Sequence, residues 1–326
     1  MQIISNCTHD AVKKAAKALK DGHLVAFPTE TVYGLGADAT NKKAVSRIYS
    51  VKGRPTGHPL IVHISSINQI DNWAIDIPEC ALLLAEEFWP GPMTLVLKRS
   101  DLAKDFITGG QESVGLRVPA QPVALALLSE LDKLGVNGIA APSANRFGAV
   151  SPTTAFAVKE EIEKFLNTED LILDDGPCLV GLESTIIDCT GSDPVVLRLG
   201  SLTKSTIETK TGLKISKNVL DSTVKTSGLL KSHYSPKAEV VLDKTTGPGD
   251  GFLAMSDVPT PEGAIRLASP TTIDEYAKNL YSTLRLADSN NLLRISVRMP
   301  DGEGLAEAIR DRLIKASTNR PQTNND

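Results

Sequence analysis

The stretch NKKAVSRIYSVKGRPTGHPLIVHI, residues 41–64, places a predicted helix, a turn and a predicted strand in direct succession. Within residues 44–51, the Ala, Val, Ile and Val side chains recur at the spacing of one face of an α-helix. The apolar run at 60–64 is typical of a buried strand, and a helix followed at once by such a strand favours an α/β fold. The turn carries two cations, Lys52 and Arg54, which could cap the helix, lie on a surface loop or bind an anion.

The same alternation of strands and helices continues on both sides of this stretch. Apolar residues make up 41% of the 326 residues but aromatic residues only 4%. The core should therefore consist mainly of Val, Ile, Leu and Ala, as in packed α/β layers. Buried strands are predicted at 24–29, 93–98 and 115–119, whereas TETVYGLGADAT, residues 29–40, is predicted as a long loop.

Between about residues 203 and 236 the sequence becomes rich in Lys, Ser and Thr, with little apolar periodicity after a short helical start. Loops of such length are uncommon, and they are often functional. We therefore predict a first domain at 1–204, a long linker at 205–236 for which a lid function is worth considering, a small α/β domain with a parallel sheet at 237–318, and a disordered tail at 319–326.

Composition argues against several classes of protein. The net charge of −4 disfavours a protein that mainly coats nucleic acid, which usually needs a strongly basic surface, although it leaves a local basic cleft open. The four cysteines lack C-x-x-C or zinc-ligand spacing, which predicts free thiols in a reducing compartment. The sequence has neither a signal-peptide pattern nor the apolar run of about 20 residues that a membrane helix needs. A soluble, cytoplasmic protein is predicted.

Several familiar catalytic motifs are missing from the sequence. The dipeptide Gly-Lys does not occur, which excludes a P-loop, and neither an H-E-x-x-H motif nor a metal-ligand pairing of histidines is present. The segment GLGADA, residues 34–39, fits a dinucleotide fingerprint, but it does not directly follow a strand and lacks an acid about 20 residues later. We therefore predict no protein metal site and no Rossmann dinucleotide site in this region.

Four cations accompany turns that are rich in Ser and Thr: Lys52, Arg54, Arg117 and Arg198. Each has a purely structural explanation, because Lys52 would suit the C-terminus of a helix and each strand arginine could pair with a core carboxylate. Taken together they favour another reading, since guanidinium, ammonium and hydroxyl groups all suit phosphate oxygens. The set predicts a phosphate or nucleotide pocket without a P-loop.

Seven blocks of this sequence closely resemble the YrdC-like family, in the family's order. The blocks are FPTETVYGLGADA (27–39), KGRPTGHPLIVHI (52–64), WPGPMTLVL (89–97), VGLRVP (114–119), APSANRFGAVSPT (141–153), GLESTIID (181–188) and VLRLG (196–200). SHYSP (232–236) and the segments after it resemble the long, two-domain form of the family. The resemblance implies a YrdC-like twisted mixed sheet with flanking helices, plus a small C-terminal Rossmann-like α/β domain.

The resemblance also implies a reaction. Family members of the long form join L-threonine, bicarbonate and ATP into threonylcarbamoyl-AMP and pyrophosphate, as nucleotidyltransferases that use Mg²⁺ with ATP. The product is the activated intermediate for threonylcarbamoyladenosine in tRNA, so a downstream tRNA threonylcarbamoyl transferase complex is an expected partner. Such a reaction needs positioning, charge neutralisation and exclusion of water rather than an enzyme nucleophile.

The family's functional residues map onto matching positions of this sequence. Lys52 and Arg54 should contact the ATP phosphates and are the predicted catalytic residues. The full set of predicted ATP-binding residues is Lys52, Arg54, His58, Ser113, Ser143, Asn145, Ser151, Arg198 and Tyr234. The predicted L-threonine-binding residues are Thr31, His63, Arg117, Ala141 and Ser184.

Two rival functions stay open at this point. An RNA-binding module would use a basic cleft for the phosphate backbone, and weak tRNA or RNA binding is compatible with the resemblance. Carbamoyl-phosphate-dependent carbamoyl transfer occurs in hydrogenase maturation proteins with a similar domain, but their zinc-finger-like and acylphosphatase-like segments are missing here. The C-terminal domain shows no chemistry of its own, and we expect it to anchor the lid.

Overall fold

A computed structural model of the chain describes residues 1–216, 224–226 and 234–318. The predicted tail at 319–326 and two parts of the predicted lid, 217–223 and 227–233, lie outside the described residues. The described chain forms a large mixed sheet and a small parallel sheet, and helices pack on both. The α/β fold that the sequence predicted is confirmed.

The large sheet lies within the first 200 residues and mixes parallel with antiparallel pairs. Its strands are β1 (Gln2–Ser5), β2 (Val25–Phe27), β3 (Gly34–Asp38), β4 (Ile61–His63), β5 (Met93–Lys98), β6 (Ser113–Arg117), β7 (Ile139–Ala140), β8 (Leu171–Asp174), β9 (Thr185–Asp188) and β10 (Val195–Arg198). Their order across the sheet is β1-β8-β2-β3-β7-β4-β6-β5-β9-β10. The pairs β4/β6 and β5/β9 are parallel, whereas β5/β6 and β9/β10 are antiparallel.

Helices cover both faces of this sheet. They are α1 (His9–Lys20), α2 (Lys42–Lys52), α3 (Ile70–Trp73), α4 (Glu79–Phe88), α5 (Asp105–Thr108), α6 (Pro122–Lys133), α7 (Ala155–Ile162) and α8 (Lys204–Thr211), with short 3₁₀ turns at Ile67–Gln69 and Glu163–Phe165. Alternate residues of β2 enter different cores: Val25 and Phe27 pack with α1 and α6, whereas Ala26 packs with α2 and α4. This burial on both faces explains why the strands read as continuous apolar runs.

One predicted loop is a strand. Residues Gly34–Asp38, which the sequence analysis placed in a loop, form the buried strand β3 antiparallel to β2. A Cβ at Gly36 would lie 2.7 Å from Cγ2 of Ile139 and 2.9 Å from Cε1 of Phe27, so only glycine fits between these side chains. Glycine is normally depleted in strands and hides the usual signal. As a strand, this segment cannot form the loop of a dinucleotide fingerprint.

The second, smaller unit contains a four-stranded sheet in which all pairs are parallel, as predicted. Its elements are β11 (Glu239–Leu242), β12 (Gly251–Leu253), β13 (Ile265–Ala268), α9 (Ile273–Ser289), β14 (Arg294–Val297) and α10 (Leu305–Ser317). The strand order is β11-β14-β12-β13. Apolar side chains of α9 and α10, among them Leu280 and Leu313, build its core.

The two units share a packed boundary. Val32, Val150 and Leu182 of the first unit belong to the same apolar cluster as Tyr281 of α9. Gly181 has φ +79°, and a Cβ there would lie 2.6 Å from Cα of Lys278 on α9. Since only glycine permits both this backbone conformation and this approach, the loop that leads into β9 rests directly against the second unit.

Candidate active site

A cavity that is partly open to solvent lies where β4, β6, β9 and β10 meet the end of α2 and the turn at 141–147. Its empty space, open solvent included, is about 660 Å³. Most of the predicted site residues line it, namely Thr31, Lys52, Arg54, His63, Arg117, Ala141, Ser143, Asn145, Ser184, Arg198 and Tyr234. The structure thus brings together in one cavity residues from six of the seven sequence blocks and from the segment SHYSP.

The end of α2 explains how Lys52 and Arg54 reach the cavity together. Gly53 ends the helix in the left-handed conformation, φ 61°, which turns the chain so that both flanking side chains are buried. Nζ of Lys52 donates hydrogen bonds to the carbonyl oxygens of Ser143 and Asn145, both at 2.5 Å. Burial and the nearby Arg54 charge hold the pKa of Lys52 well below its usual value. The surface-loop interpretation of these two cations is therefore wrong.

Arg54 forms part of the cavity wall. Its Nη2 donates to the carbonyl oxygen of Pro59 at 3.0 Å, and its guanidinium carbon lies 5.7 Å from the centre of the Phe147 ring, which also lines the cavity. Burial lowers the pKa of Arg54 to about 10, so the group stays cationic at neutral pH. The ring edge of half-buried His58 contacts Phe147, with centroids 5.4 Å apart, which places His58 behind the cavity wall.

Asn145 shapes the turn that carries Ser143. Its Nδ2 donates to the carbonyl oxygens of Arg146 and Ala149, each at 2.8 Å. Its Oδ1 is buried in the lining and has no hydrogen-bond partner within the described residues. An unsatisfied buried acceptor is costly, so this atom is a candidate to accept a hydrogen bond from a ligand.

Arg117 and His63 lie side by side, because the parallel strands β4 and β6 pair these two residues in register. Nη2 of Arg117 donates to Oε1 of Glu30 at 2.6 Å and to the hydroxyl of Thr31 at 3.0 Å, and its Nε donates to the carbonyl oxygen of Gly91 at 3.3 Å. Both explanations offered for Arg117 therefore apply, because it pairs with a core carboxylate and also lines the cavity.

Glu30 is a functional candidate that the sequence analysis did not name. It is buried, and its second oxygen accepts the backbone N–H of Ala120 at 3.0 Å. A signal existed, because a buried Arg117 requires a counter-charge and Glu30 lies inside the quoted block at 27–39. The sequence alone did not show that the two residues meet.

Ser184, which directly precedes β9, and Arg198, at the end of the neighbouring strand β10, form a second polar pair. Nε of Arg198 donates to the carbonyl oxygen of Ser184, and Nη2 donates to its hydroxyl, both at 3.0 Å. The Ser184 hydroxyl also shares a 2.7 Å hydrogen bond with Thr94 of β5. The arginine is fixed by a predicted threonine-binding residue, so the predicted nucleotide and threonine subsites are adjacent.

Ser151 lies behind the cavity and donates a hydrogen bond to a carboxylate that belongs to the cavity lining. Its hydroxyl donates at 2.7 Å to Oε1 of Glu183, a lining residue that the sequence analysis did not name. Oε2 of Glu183 accepts from the Tyr281 hydroxyl at 2.8 Å and from Nε of Arg312 at 3.0 Å, both in the second unit. Burial alone would raise the pKa of Glu183, but Arg312 and Arg198 outweigh it and lower that pKa to about 2.

Tyr234 closes one side of the cavity, as the motif SHYSP suggested. It is buried, has φ 62°, and its ring stacks on Tyr281 with centroids 5.6 Å apart and an interplanar angle of 22°. Burial and the Glu183 charge raise the pKa of Tyr234 to about 12, so the phenol stays protonated. The second unit therefore supports the end of the predicted lid.

Ser113 lines a neighbouring cavity, which shares Ile61 with the first. The apolar side chains of Val96 and Ile186 also line this second cavity. Lys225 and Thr226 line it too, and Gln111 accepts the backbone N–H of Lys225 at 2.6 Å and donates to the Lys225 carbonyl at 3.0 Å. A described part of the predicted lid thus contacts the cavity that contains Ser113.

His63 should make the stability of the protein depend on pH. Burial and the Arg117 charge lower its pKa from 6.5 to about 3. Because the unfolded chain binds this proton below about pH 6.5 and the folded protein does not, we expect the free energy of unfolding to fall between pH 6.5 and 3. The effect is on the order of a few kcal/mol. Urea unfolding at several pH values measures it.

A variant isolates the His63 contribution. His63→Asn should flatten the pH dependence, whereas the same change at His9, an exposed residue at the start of α1, should leave it unchanged. An equal slope in His63→Asn and the unchanged protein would contradict a neutral buried imidazole. In the described residues, Nδ1 of His63 has no hydrogen-bond partner, so this atom is a candidate for a hydrogen bond with a ligand.

The described residues contain neither a cluster of metal ligands nor a membrane-spanning helix. Across 1–216, 224–226 and 234–318, no three His, Cys, Asp or Glu side chains approach closely enough to share a metal ion. No helix in those ranges is both long and apolar enough to cross a membrane.

Known proteins resemble this chain over nearly its whole length. A threonylcarbamoyl-AMP synthase of Pyrococcus abyssi is 40% identical over 325 residues, which cover 94% of each chain. One of Bacillus subtilis is 37% identical over 334 residues, covering 95% of this chain and 93% of that one. The crystal structure of P. abyssi Sua5 complexed with L-threonine has a TM-score of 0.85 at 38% identity and covers 97% of both chains.

Two family signatures divide the chain between them. Residues 17–200 match the Sua5–YciO–YrdC signature, which is described as "Telomere recombination". Residues 201–318 match the signature described as "Threonylcarbamoyl-AMP synthase, C-terminal domain". With a large mixed sheet that holds the polar cavity and a small parallel sheet packed against it, the chain belongs to the Sua5–YciO–YrdC family in its two-domain form.

Proposed function

We propose that the protein is a nucleotidyltransferase that makes threonylcarbamoyl-AMP and pyrophosphate from L-threonine, bicarbonate and ATP. One observation carries the proposal: Lys52, Arg54, Arg117 and Arg198, from separate parts of the chain, all line a single cavity. Such a cavity suits a substrate pair that brings a triphosphate and a carboxylate together. The names of the full-length relatives support the same reaction.

The chemistry proposed for this site requires no enzyme nucleophile. The threonine amine and bicarbonate combine into a carbamate and water. A carbamate oxygen then forms a bond to the α-phosphorus of ATP while the bond between that phosphorus and the bridging oxygen to the β-phosphate breaks, and pyrophosphate leaves with the electron pair. Lys52 and Arg54 would neutralise the charge that develops on the phosphates, which is the largest contribution in many enzymes.

We place threonine beside Arg117 and His63. Within the described residues, the contacts of Arg117 use its Nε and Nη2, so Nη1 is the part of the guanidinium that would bind the substrate carboxylate. Thr31, Ser184 and Ala141 complete this side of the cavity. The relative from P. abyssi has been crystallised with L-threonine, which supports the assignment.

We place the nucleotide base in the neighbouring cavity that contains Ser113. Its Ile61, Val96 and Ile186 side chains offer apolar walls for a flat ring, and Ser113 with Gln111 offers polar edges. The phosphates would then extend past the shared residue Ile61 towards Arg54. His58 and Ser151 would act through Phe147 and Glu183, which their side chains contact.

Magnesium is proposed to enter as part of the substrate Mg-ATP. The carboxylate in the cavity wall, Glu183, already has both oxygens engaged by Ser151, Tyr281 and Arg312. The described residues therefore suit a cation carried by the phosphates and water, the common arrangement for Mg²⁺. Bound this way, Mg²⁺ supplies charge neutralisation on the polyphosphate.

We infer that the product passes to a tRNA threonylcarbamoyl transferase complex in the cytoplasm.

The proposal is tested by incubating the purified protein with Mg-ATP, L-threonine and bicarbonate and measuring pyrophosphate. We expect release that requires both threonine and bicarbonate and that stops when EDTA removes Mg²⁺. Pyrophosphate formation that ignores threonine, or no formation at all, would overturn the proposal. Replacing bicarbonate with carbamoyl phosphate separates this reaction from carbamoyl transfer, and salt-dependent RNA binding without turnover would favour the RNA-binding alternative.

A further inference from the structure

We infer that Arg312, in the second unit, is a positioning residue for the active site in the first, because it holds the two backbone segments that carry Ser184 and Arg198. The catalytic part of this inference rests on the proposed function. Its structural part rests only on contacts between the two units. It assigns the C-terminal domain a direct part in building the site, beyond supporting a lid.

Arg312 contacts the immediate sequence neighbours of two site residues. Its Nε donates to Oε2 of Glu183, the residue before Ser184, at 3.0 Å. Its Nη2 donates to the carbonyl oxygen of Leu199, the residue after Arg198, at 2.6 Å. One planar guanidinium thus bridges the entry of β9 and the exit of β10. Two hydrogen bonds to different segments fix their separation more strictly than either bond alone.

The bridged segments approach each other closely along their backbones. A Cβ at Gly200 would lie 2.4 Å from the backbone nitrogen of Thr185 and 2.6 Å from the carbonyl oxygen of Glu183. Ser184 and Arg198 are bonded to each other across this contact. A shift of either segment would therefore displace one predicted threonine-binding residue and one predicted ATP-binding residue together.

The Arg312 side chain is accessible neither to solvent nor to a partner at the surface. It is fully buried on α10, and Nη1 donates to Asp311 at 2.5 Å. Its guanidinium carbon lies 5.2 Å from the centre of the Tyr234 ring, which stacks on Tyr281. A buried cation with these contacts is expensive unless every one is made. The same side chain therefore also supports Tyr234 at the cavity.

Arg310 provides a matched control on the same helix. Its Nη1 and Nη2 donate to the carbonyl oxygens of Pro300 and Gly302, each at 2.7 Å, and both acceptors lie in the second unit. Arg312→Lys keeps the charge at 312 but replaces the planar fork by one ammonium nitrogen, which cannot occupy the positions of both Nε and Nη2 that reach Glu183 and Leu199. Arg310→Lys makes the same chemical change without touching the first unit.

The test measures backbone amide hydrogen exchange and pyrophosphate release in the full-length protein. In Arg312→Lys we expect faster exchange in peptides covering 181–186 and 196–201 but unchanged exchange in β2 and β8. We also expect kcat/KM for threonine to fall at least tenfold at a temperature where the variant is fully folded. A displacement of about 1 Å at a reacting group can cost about 100-fold. Arg310→Lys should stay within twofold.

Each outcome decides the inference. A lower unfolding temperature in Arg312→Lys with unchanged exchange in both peptides and unchanged kcat/KM would overturn it, because Arg312 would then only stabilise the fold. If Arg312→Lys does not fold, hydrogen exchange of the unchanged protein in increasing urea replaces it; amides of 181–186 and 196–201 that stay protected after those of α10 have opened would count against the inference. If the unchanged protein releases no pyrophosphate, the proposed function fails, and the exchange data still decide the role of Arg312.

Discussion

Replacing Arg54 with alanine should lower kcat/KM for threonine-dependent pyrophosphate release by about 100- to 1,000-fold, the usual loss when one preorganised donor to developing charge is removed. The guanidinium is buried in the cavity wall and anchored to the Pro59 carbonyl. It can therefore stabilise charge on the phosphates without reorganising during the reaction. Steady-state pyrophosphate release at saturating and limiting ATP measures the loss.

The control for this experiment is Arg146→Ala. Arg146 neighbours the same helix end and donates to the Val51 carbonyl at 2.5 Å, but it stacks over Phe165 and does not belong to the cavity lining. Arg146→Ala should keep kcat/KM within a few-fold of the unchanged protein. Equal losses in both variants, or a loss in Arg54→Ala that follows its loss of folded protein, would favour a structural role for Arg54.

Replacing Arg117 with methionine should abolish threonine binding and also destabilise the fold. The variant leaves the Glu30 carboxylate buried without the partner that lies at 2.6 Å, and breaking a buried ion pair in this way costs about 3–5 kcal/mol. Isothermal titration with threonine and urea unfolding measure the two effects separately. We expect a rise in the threonine Kd of at least 100-fold, together with a large drop in the free energy of unfolding.

A double variant separates binding from stability. Glu30→Gln combined with Arg117→Met removes both charges and should recover much of the lost stability, because a neutral pair needs no counter-ion. It should not recover threonine binding. As a control, Arg47→Met breaks a 2.5 Å ion pair with the buried carboxylate of Asp170, away from the cavity, and should destabilise the protein without changing the threonine Kd. Normal threonine affinity in Arg117→Met would refute its role as the carboxylate ligand.

Much of the architecture followed from short-range pattern. The spacing of apolar residues predicted α2, which in the structure ends at Gly53. The parallel second sheet followed from strands alternating with helices. The pattern failed at β3, because Gly34 and Gly36 carry no side chain to mark a strand and their place is set by neighbours such as Phe27.

The candidate site, like the fold, could be predicted from the sequence only in part. The cations were recognisable one by one, since a buried arginine or lysine is rare and demands an explanation. Their structural and functional explanations stayed balanced until the fold placed them in one cavity. The sequence did not indicate that His58, Ser113 and Ser151 lie beside this cavity and outside its lining.

The sequence by itself determined the order of helices and strands, the residue types available for chemistry and the family that the chain resembles. Tertiary structure alone decided which charges meet. Glu30 and Arg117 lie 87 positions apart, and Glu183 and Arg312 lie 129 apart. The physical reason is that periodicity and capping act between residues a few positions apart, whereas a buried ion pair depends on strand order and domain packing, which bring distant segments to the same place.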